Sequence, residues 1–425
     1  MNARSVIRSG PLRFATAERF ALPCPVPAGA SEPKGPTGPE IDTPPVGRIC
    51  PQPPSRLDAV MGPPRDRRPQ SEDCLLLTVT APAAPAAGAV TTPAAPSTGR
   101  PVLVWFHGGG FSSGAGLLDW YDGGALAAEQ DVVVVSAGYR LGALGYLVLD
   151  GVSEGNLGLH DQLEALRWVR DHIARYGGDP GNVTLFGQSA GALSILLLLQ
   201  LDDARGLFRR AVLQSAPLSL ATRSLTESRE TGRVFAAHLG TDPRTASHEA
   251  LLAAQTRTAA DHRRRTGSFL APPFGPVRST AQLPCVTGRL TLGGSAPDVL
   301  YGWNADDMSA FPEGPRDRGS VAARTRRIYE APLTALRAEL ERSGARVHGY
   351  RLDWRPPGSP YGATHCAEIP LLLGSADAWR DTPMLGGLNW AQVDAVGNGV
   401  RAAWASFART GDPGPLPAPL TALPH

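Results

Sequence analysis

The sequence predicts an α/β fold: a mainly parallel, twisted sheet flanked by helices. Three observations predict it. Runs rich in β-branched residues, such as Val102-Leu-Val-Trp-Phe106 and Asp131-Val-Val-Val-Val-Ser136, read as strands covered on both faces. Segments with helical spacing lie between such runs. One strand, Val183-Thr-Leu-Phe-Gly-Gln188, turns sharply at Ser189 into the long apolar helix Ala192-Leu-Ser-Ile-Leu-Leu-Leu-Leu-Gln200. Strands alternating with helices close into a parallel sheet through right-handed crossovers. Ligands of such sheets bind beyond the carboxyl ends of the strands.

Residues 1–70 read as an irregular Pro/Gly-rich wrapping segment and residues 71–425 as a single domain. Asp73-Cys-Leu-Leu-Leu-Thr-Val-Thr80 is a strand. The Ala/Pro/Gly/Ser/Thr stretch 82–101 is a low-complexity surface loop before the strand at Val102. A helix is predicted over His160–Tyr176, with Leu163, Leu166, Val169 and Ile173 on one face. Gly177-Gly-Asp-Pro-Gly-Asn182 ends it and turns the chain into the strand at Val183. Arg210–Ser215 is the next strand, and residues 220–265 are helical with polar faces. Val299–Trp303 and Arg346–Trp354 are later strands, and Val393–Thr410 is a closing helix.

A chain of 425 residues with 42% hydrophobic content buries a large core. Its net charge is only +2, and Lys34 is its single lysine. The arginine clusters at Arg263–Arg265 and Arg324–Arg327 sit in helix-like segments without interleaved aromatics. They read as solvated faces, which argues against a nucleic-acid partner. The start lacks an apolar signal core and the longest apolar run is too short to span a bilayer, so a cytoplasmic protein without a membrane anchor is expected. Five cysteines are few and odd in number; Cys24, Cys285 and Cys366 read as isolated thiols, and Cys50 with Cys74 could pair only in an oxidising compartment. No clustered His/Cys/Asp spacing suggests a metal, and no cofactor motif stands out.

The pattern Gly-x-Ser-x-Gly occurs three times, around Ser112, Ser153 and Ser189. Only Ser189 lies between a β-branched strand and an apolar helix. There a tight glycine-flanked turn exposes the hydroxyl at a helix N-terminus, the setting for attack on a carbonyl. His107-Gly-Gly-Gly-Phe111 follows the Val102 strand. Its glycines let backbone N–H groups face an incoming oxygen that becomes an oxyanion. His107 itself reads as a structural, hydrogen-bonding residue. A base and an acid should follow the serine. His238, His248 and His262 fall in the polar helical region, His348 lies inside a strand, and His425 is terminal. Only His365 lies in a Gly/Pro-rich loop after a late strand, free to reach over the sheet end. The acid should end a strand between serine and histidine. Asp306 and Asp307 both fit, and Asp353 is a weaker candidate.

These segments together resemble the type-B carboxylesterase/cholinesterase family of α/β hydrolases, nearest to its compact bacterial, para-nitrobenzyl-esterase-like members. The resemblance runs from about Ile49 onward. It rests on Ser71-Glu-Asp-Cys-Leu75, Pro101–Phe111, Gly138–Tyr146, Gly155–Gln162, Gly177–Gly191, Phe274-Gly-Pro-Val277 and His365-Cys-Ala-Glu368. It implies an α/β-hydrolase fold with helical insertions near the active site. Ser189, His365 and Asp307 would be the triad, and the amides of Gly109, Gly110 and Ala190 the oxyanion donors. The family's N-terminal disulfide would map to Cys50 and Cys74. Two departures stand out: the family's usual acid is Glu followed by Gly, where this chain has Asp307 followed by Met308, and the strands that normally precede Leu12-Arg-Phe14 are nearly absent. The implied activity is hydrolysis of small to medium carboxylic esters through an acyl-enzyme, with a small-molecule ester as the partner. An amidase, carbamate or lactone hydrolase would use the same machinery, and a non-catalytic cholinesterase-like recognition domain would keep only the fold.

Overall fold

The computed structural model describes residues 5–26, 47–83, 99–218, 222–268, 270–278, 296–312 and 314–424. Lys34, Cys285, His425 and most of the stretch 82–101 lie outside the described residues. The main sheet contains β1 (Val6–Arg13), β2 (Leu76–Pro82), β3 (Arg100–Phe106), β4 (Val133–Ala137) and β5 (Gly178–Gln188). It continues through β6 (Arg210–Gln214), β7 (Asp298–Asn304), β8 (Val347–Leu352) and β9 (Leu420–Ala422). The longer helices are α1 (Gly124–Gln130), α2 (Leu157–His172), α3 (Ala190–Leu198) and α4 (Leu225–Leu239). After them come α5 (His248–Thr266), α6 (Arg318–Thr325), α7 (Ala331–Arg342) and α8 (Trp390–Thr410).

The strand order is β1-β2-β4-β3-β5-β6-β7-β8-β9. From β4 through β8 every pairing is parallel. β1, β2 and β9 are antiparallel to their inner neighbours at the two edges. All five residues of β4 are buried, and Val102 to Phe106 of β3 are fully so. Strands covered on both faces need apolar side chains at every position, which is what those β-branched runs supply. The chain passes from β3 through α1 to β4, then returns across β3 through α2 to β5. Strand order therefore reverses beside β3, and a crevice opens past the carboxyl ends of β3 and β5.

Two expectations are corrected. Residues 6–13 are not part of an irregular segment. They form β1, which pairs with β2 from Val6↔Pro82 to Arg13↔Leu76, so the sheet edge exists with a single short strand. Gly178 to Asn182, expected as a turn, already belong to β5. The α2 helix starts at Leu157, and the predicted last turn is a 3₁₀ turn over Ile173–Tyr176.

A buried ion pair ties the segment after β4 to α2. Asp161 accepts from the Arg140 backbone N at 2.9 Å, from Nε at 2.8 Å and from Nη2 at 2.7 Å. Arg140 Nη1 also donates to Ala21 O at 2.7 Å. Cys50 and Cys74, the pair to which the family's disulfide would map, are both buried and stand as free thiols in this structure. They lie in hydrogen-bonding contact, and that contact together with burial pushes the Cys74 thiol well up. Cys50 Sγ accepts from the Leu141 N–H at 3.3 Å, so one thiol pairs with backbone next to the Arg140 pair. No helix among the described residues is long and apolar enough to cross a membrane.

Candidate active site

Ser189 stands between β5 and α3 with φ 55° and ψ −117°. A non-glycine residue in that region is strained, and the surroundings must hold it there. The flanking glycines show how. A Cβ on Gly191 would collide with Phe106 O, and one on Gly187 would lie 2.7 Å from the same atom. Glycine at both places lets the start of α3 press against the end of β3. All nine residues of α3 are buried, so the helix is clamped by apolar contacts all round. Its N-terminus, with unsatisfied N–H groups, sits at Ser189.

The loop after β3 holds Gly109 at φ 108° and Gly110 at φ 60°, conformations that favour glycine. His107, just before them, is wholly buried. Its Nδ1 lies 2.7 Å from Gly108 O, its ring stacks on Tyr139 at 4.3 Å, and Tyr139 donates its hydroxyl proton to His107 O at 2.7 Å. Burial drives the His107 pKa down to about 4, so the ring is a neutral brace.

His365 lies in the loop after β8. Its Nδ1 is 2.6 Å from Asp307 Oδ1, and both side chains are essentially inaccessible, at 1% and 0% exposure. The other Asp307 oxygen accepts from Ser215 Oγ at 2.9 Å and from the Asn304 backbone N at 2.8 Å. On the far side of the ring, Gln188 Nε2 lies 2.9 Å from His365 Nε2. An amide N–H facing Nε2 and a carboxylate facing Nδ1 together assign the ring proton to Nδ1.

The adjacent aspartates serve different groups. Asp306 is paired with Arg355 (Nε at 2.8 Å, Nη2 at 3.2 Å) and accepts from the Ala363 N–H at 2.9 Å. It therefore anchors the loop that carries His365. Ser309 Oγ adds bonds to Tyr361 O at 2.6 Å and Thr364 Oγ1 at 2.8 Å, and Asn304 Nδ2 donates to Thr364 O at 2.7 Å. Asp353 is held by Arg351 at 2.9 Å and by Thr421 Oγ1 at 2.7 Å. The other candidate bases are engaged elsewhere. His238 pairs with Asp261 at 2.7 Å and His248 with Glu72 at 2.6 Å. His262 is buried, with its pKa pushed down to about 4, and His348 lies in β8.

Ser189, His365, Gly109, Gly110 and Ala190 border one cleft. Asp307 lies behind it. Four elements thus deliver their residues to one crevice: the loops after β3, β5, β7 and β8. A hydroxyl, an imidazole with its proton fixed on the far nitrogen, a buried carboxylate and a glycine-rich backbone can together carry acyl transfer. Sequence reasoning missed Gln188, Ser215, Asn304 and Glu368, all buried polar residues next to motif residues. For Gln188, Ser215 and Asn304 the signal was a lone polar side chain at the end of an apolar strand, too common to single out. Glu368 is wholly buried. Burial, then the charge of Asp307, raises its carboxyl pKa, although Asn304 Nδ2 donates to it at 2.5 Å.

A family model described as the carboxylesterase family matches residues 30–313. A probable N-octanoylanthranilate hydrolase of Rhodococcus erythropolis is 41% identical over 94% of this chain and 88% of its own length. The para-nitrobenzyl esterase of Bacillus subtilis is 33% identical over 91% of this chain and 84% of its own. Among solved structures, a thermophilic PNB esterase superposes with a TM-score of 0.77 at 29% identity, covering 99% of this chain and 91% of that one.

Proposed function

This chain belongs to the carboxylesterase family and is a carboxylic ester hydrolase of the α/β-hydrolase fold acting on small-molecule esters, and we propose that Ser189, His365 and Asp307 are its catalytic triad. The observation that carries the assignment is the 2.6 Å contact between Asp307 Oδ1 and His365 Nδ1, on an imidazole that borders the same cleft as Ser189.

The reaction follows from the geometry. His365 Nε2 holds the lone pair and takes the Ser189 hydroxyl proton as Oγ attacks the ester carbonyl. Asp307 holds the ring tautomer and stabilises the imidazolium that forms. The carbonyl oxygen becomes O⁻ beside the N–H groups of Gly109, Gly110 and Ala190, where the start of α3 adds favourable partial charge. His365 then protonates the leaving alcohol, and a water molecule, activated in the same way, clears the acyl-enzyme. Gln188 Nε2 faces His365 Nε2 in this structure. The carboxamide must yield that position for the serine proton to arrive.

The apolar lining of Phe111, Leu193, Leu270 and Phe311 suits the acyl chain of a small or medium ester. A second reading is favoured by one comparison: the Rhodococcus relative is described as acting on an N-acyl compound, so this cleft would take matched amides as well as esters. Ser189→Ala tests the triad. Turnover of p-nitrophenyl butyrate should fall by about 10⁴ or more in protein of unchanged melting behaviour. Undiminished turnover removes Ser189 from the mechanism. Running the matched amide beside the ester decides the second reading.

A further inference from the structure

Tyr329 borders the same cleft as Ser189 and His365, and the triad does not use it. It is only 1% exposed, and its ring lies 5.5 Å from the His365 ring at a tilt of 35°. It stands on a π-helical turn, Arg326–Glu330, that joins α6 to α7. A π turn takes an extra residue into the helix and re-aims the side chains beside it, and such turns recur at functional sites. Burial, and then the nearby Asp307 carboxylate, push the phenol pKa well up. The proton therefore stays on the oxygen at every working pH, and the group is a neutral donor. Among the described residues nothing hydrogen-bonds to that hydroxyl. A buried hydroxyl without a partner costs stability that phenylalanine at the same place would not. Its place on the wall of the cleft gives it a partner that arrives with the substrate.

We infer that Tyr329 is a further catalytic residue, whose O–H donates a hydrogen bond to the leaving-group oxygen of the ester. This rests on the reading of Ser189 as the nucleophile and His365 as its base. The tetrahedral intermediate carries two substrate oxygens. The carbonyl oxygen goes to the amides of Gly109, Gly110 and Ala190. The leaving oxygen must face His365 Nε2, which hands it a proton, and Tyr329 flanks that imidazole. As the C–O bond breaks, its electron pair goes to the leaving oxygen and the Nε2 proton follows. The alcohol departs, and the acyl group stays on Ser189 Oγ. Tyr329 keeps its own proton throughout; it stabilises the negative charge that builds before the imidazolium proton arrives. That help matters most for a basic alkoxide and least for a nitrophenolate, which bears the charge unaided. A rival role, support of the carbonyl oxyanion, would speed every ester alike.

The experiment measures kcat/KM, which reports the acylation half of the reaction, for ethyl, phenyl and p-nitrophenyl butyrate. The acyl group is the same in all three, and only the leaving group changes. In Tyr329→Phe the ethyl-to-p-nitrophenyl ratio should fall about 10- to 100-fold, the range expected for a hydrogen bond to a charged oxygen, with phenyl butyrate in between. The melting temperature should equal or exceed that of the native protein, because the change removes an unpartnered buried hydroxyl. Equal losses on all three esters overturn the proposal, and so does no loss on any of them. A clearly lower melting temperature, or failure of Tyr329→Phe to fold, overturns it as well, since the hydroxyl would then be holding the fold. Failure of the underlying reading looks different: Ser189→Ala would cleave all three esters as the native enzyme does.

Discussion

Replacing Asp307 with Asn changes one atom type in a site where each oxygen has a fixed partner. Oδ1 faces His365 Nδ1 at 2.6 Å, and Oδ2 accepts from the Asn304 backbone N at 2.8 Å and from Ser215 Oγ at 2.9 Å. Asparagine offers one acceptor and one NH₂ donor. The Asn304 backbone N–H can only donate, so the amide oxygen must face it; the reverse orientation would leave two donors opposed in a buried site. The NH₂ group is then forced toward His365. It can be satisfied there only if Nδ1 becomes an acceptor, which moves the ring proton to Nε2. A protonated Nε2 cannot take the Ser189 proton. The expected loss is about 10⁴ in kcat, or roughly 5.5 kcal/mol of transition-state stabilisation, with little change in KM. Steady-state hydrolysis of p-nitrophenyl butyrate measures it, with fluorophosphonate labelling as an independent report on Ser189. Asp306→Asn is the control. It weakens the Arg355 pair and the hold on Ala363, so it should lower the melting temperature yet keep kcat within about tenfold of native. Asp307→Asn retaining more than about a tenth of native kcat, or Asp306→Asn proving the more damaging to kcat in folded protein, refutes the reasoning.

Three further outcomes are expected. Gly191→Ala forces a Cβ into Phe106 O, where only backbone can give way, and should destabilise by about 1–3 kcal/mol or more in urea melts; a neutral result would mean that α3 does not press on β3. Asp161→Ala leaves Arg140 buried without its carboxylate and should cost about 3–5 kcal/mol, whereas a loss under 1 kcal/mol would show that water reaches the pair. For Glu368 the folded pKa lies above the ordinary 4.5, so its contribution to stability is complete below that value and declines as pH rises through the folded pKa. Glu368→Gln removes the titration, so its melting temperature relative to native should climb between pH 4 and pH 7; a difference that ignores pH counts against the shift.

The parts of this fold legible in the sequence are those with a strong local cause. The runs at Val102 and Val133 are buried on both faces, and nothing but a parallel central strand suits them. The turn at Ser189 was legible because its glycines are needed for a close backbone approach, and the apolar helix after it has no polar face to expose. β1 escaped notice for the opposite reason. Val6-Ile-Arg-Ser-Gly-Pro-Leu-Arg13 is an edge strand without alternation, and its register shifts between Ser9 and Leu12 around the Gly-Pro pair. Asp306 and Asp307 could not be told apart because they are neighbours at the start of one 3₁₀ turn. What separates them is the arrival of Arg355 on one and His365 on the other, from a loop about fifty residues away. Arg56 stands in no quoted motif, and only the folded chain brings it beside Gly110.

Why a second carboxyl should be buried beside Asp307 follows from how the loop of His365 is held. That loop crosses the end of the sheet, where the imidazole needs a fixed orientation but has few apolar contacts beyond the faces of Phe311 and Tyr329. Polar staples take over. Asn304 lies at the centre, its backbone N–H on Asp307 and its side-chain N–H groups on Thr364 O and Glu368. Gln214 completes the layer: its oxygen accepts from Trp404 Nε1 at 3.2 Å, and its Nε2 lies 3.4 Å from Glu368 Oε1. Burial, and then the charge of Asp307, disfavour a charge on Glu368. Three donors converge on Asp307, one of them the imidazole, while Glu368 meets two side-chain amides and its own backbone N–H, and its pKa is raised. What sets the two carboxyls apart is the imidazole, which faces Asp307. Glu368 has a mechanical part: it ties Asn304 and Gln214 together beneath the loop that carries His365.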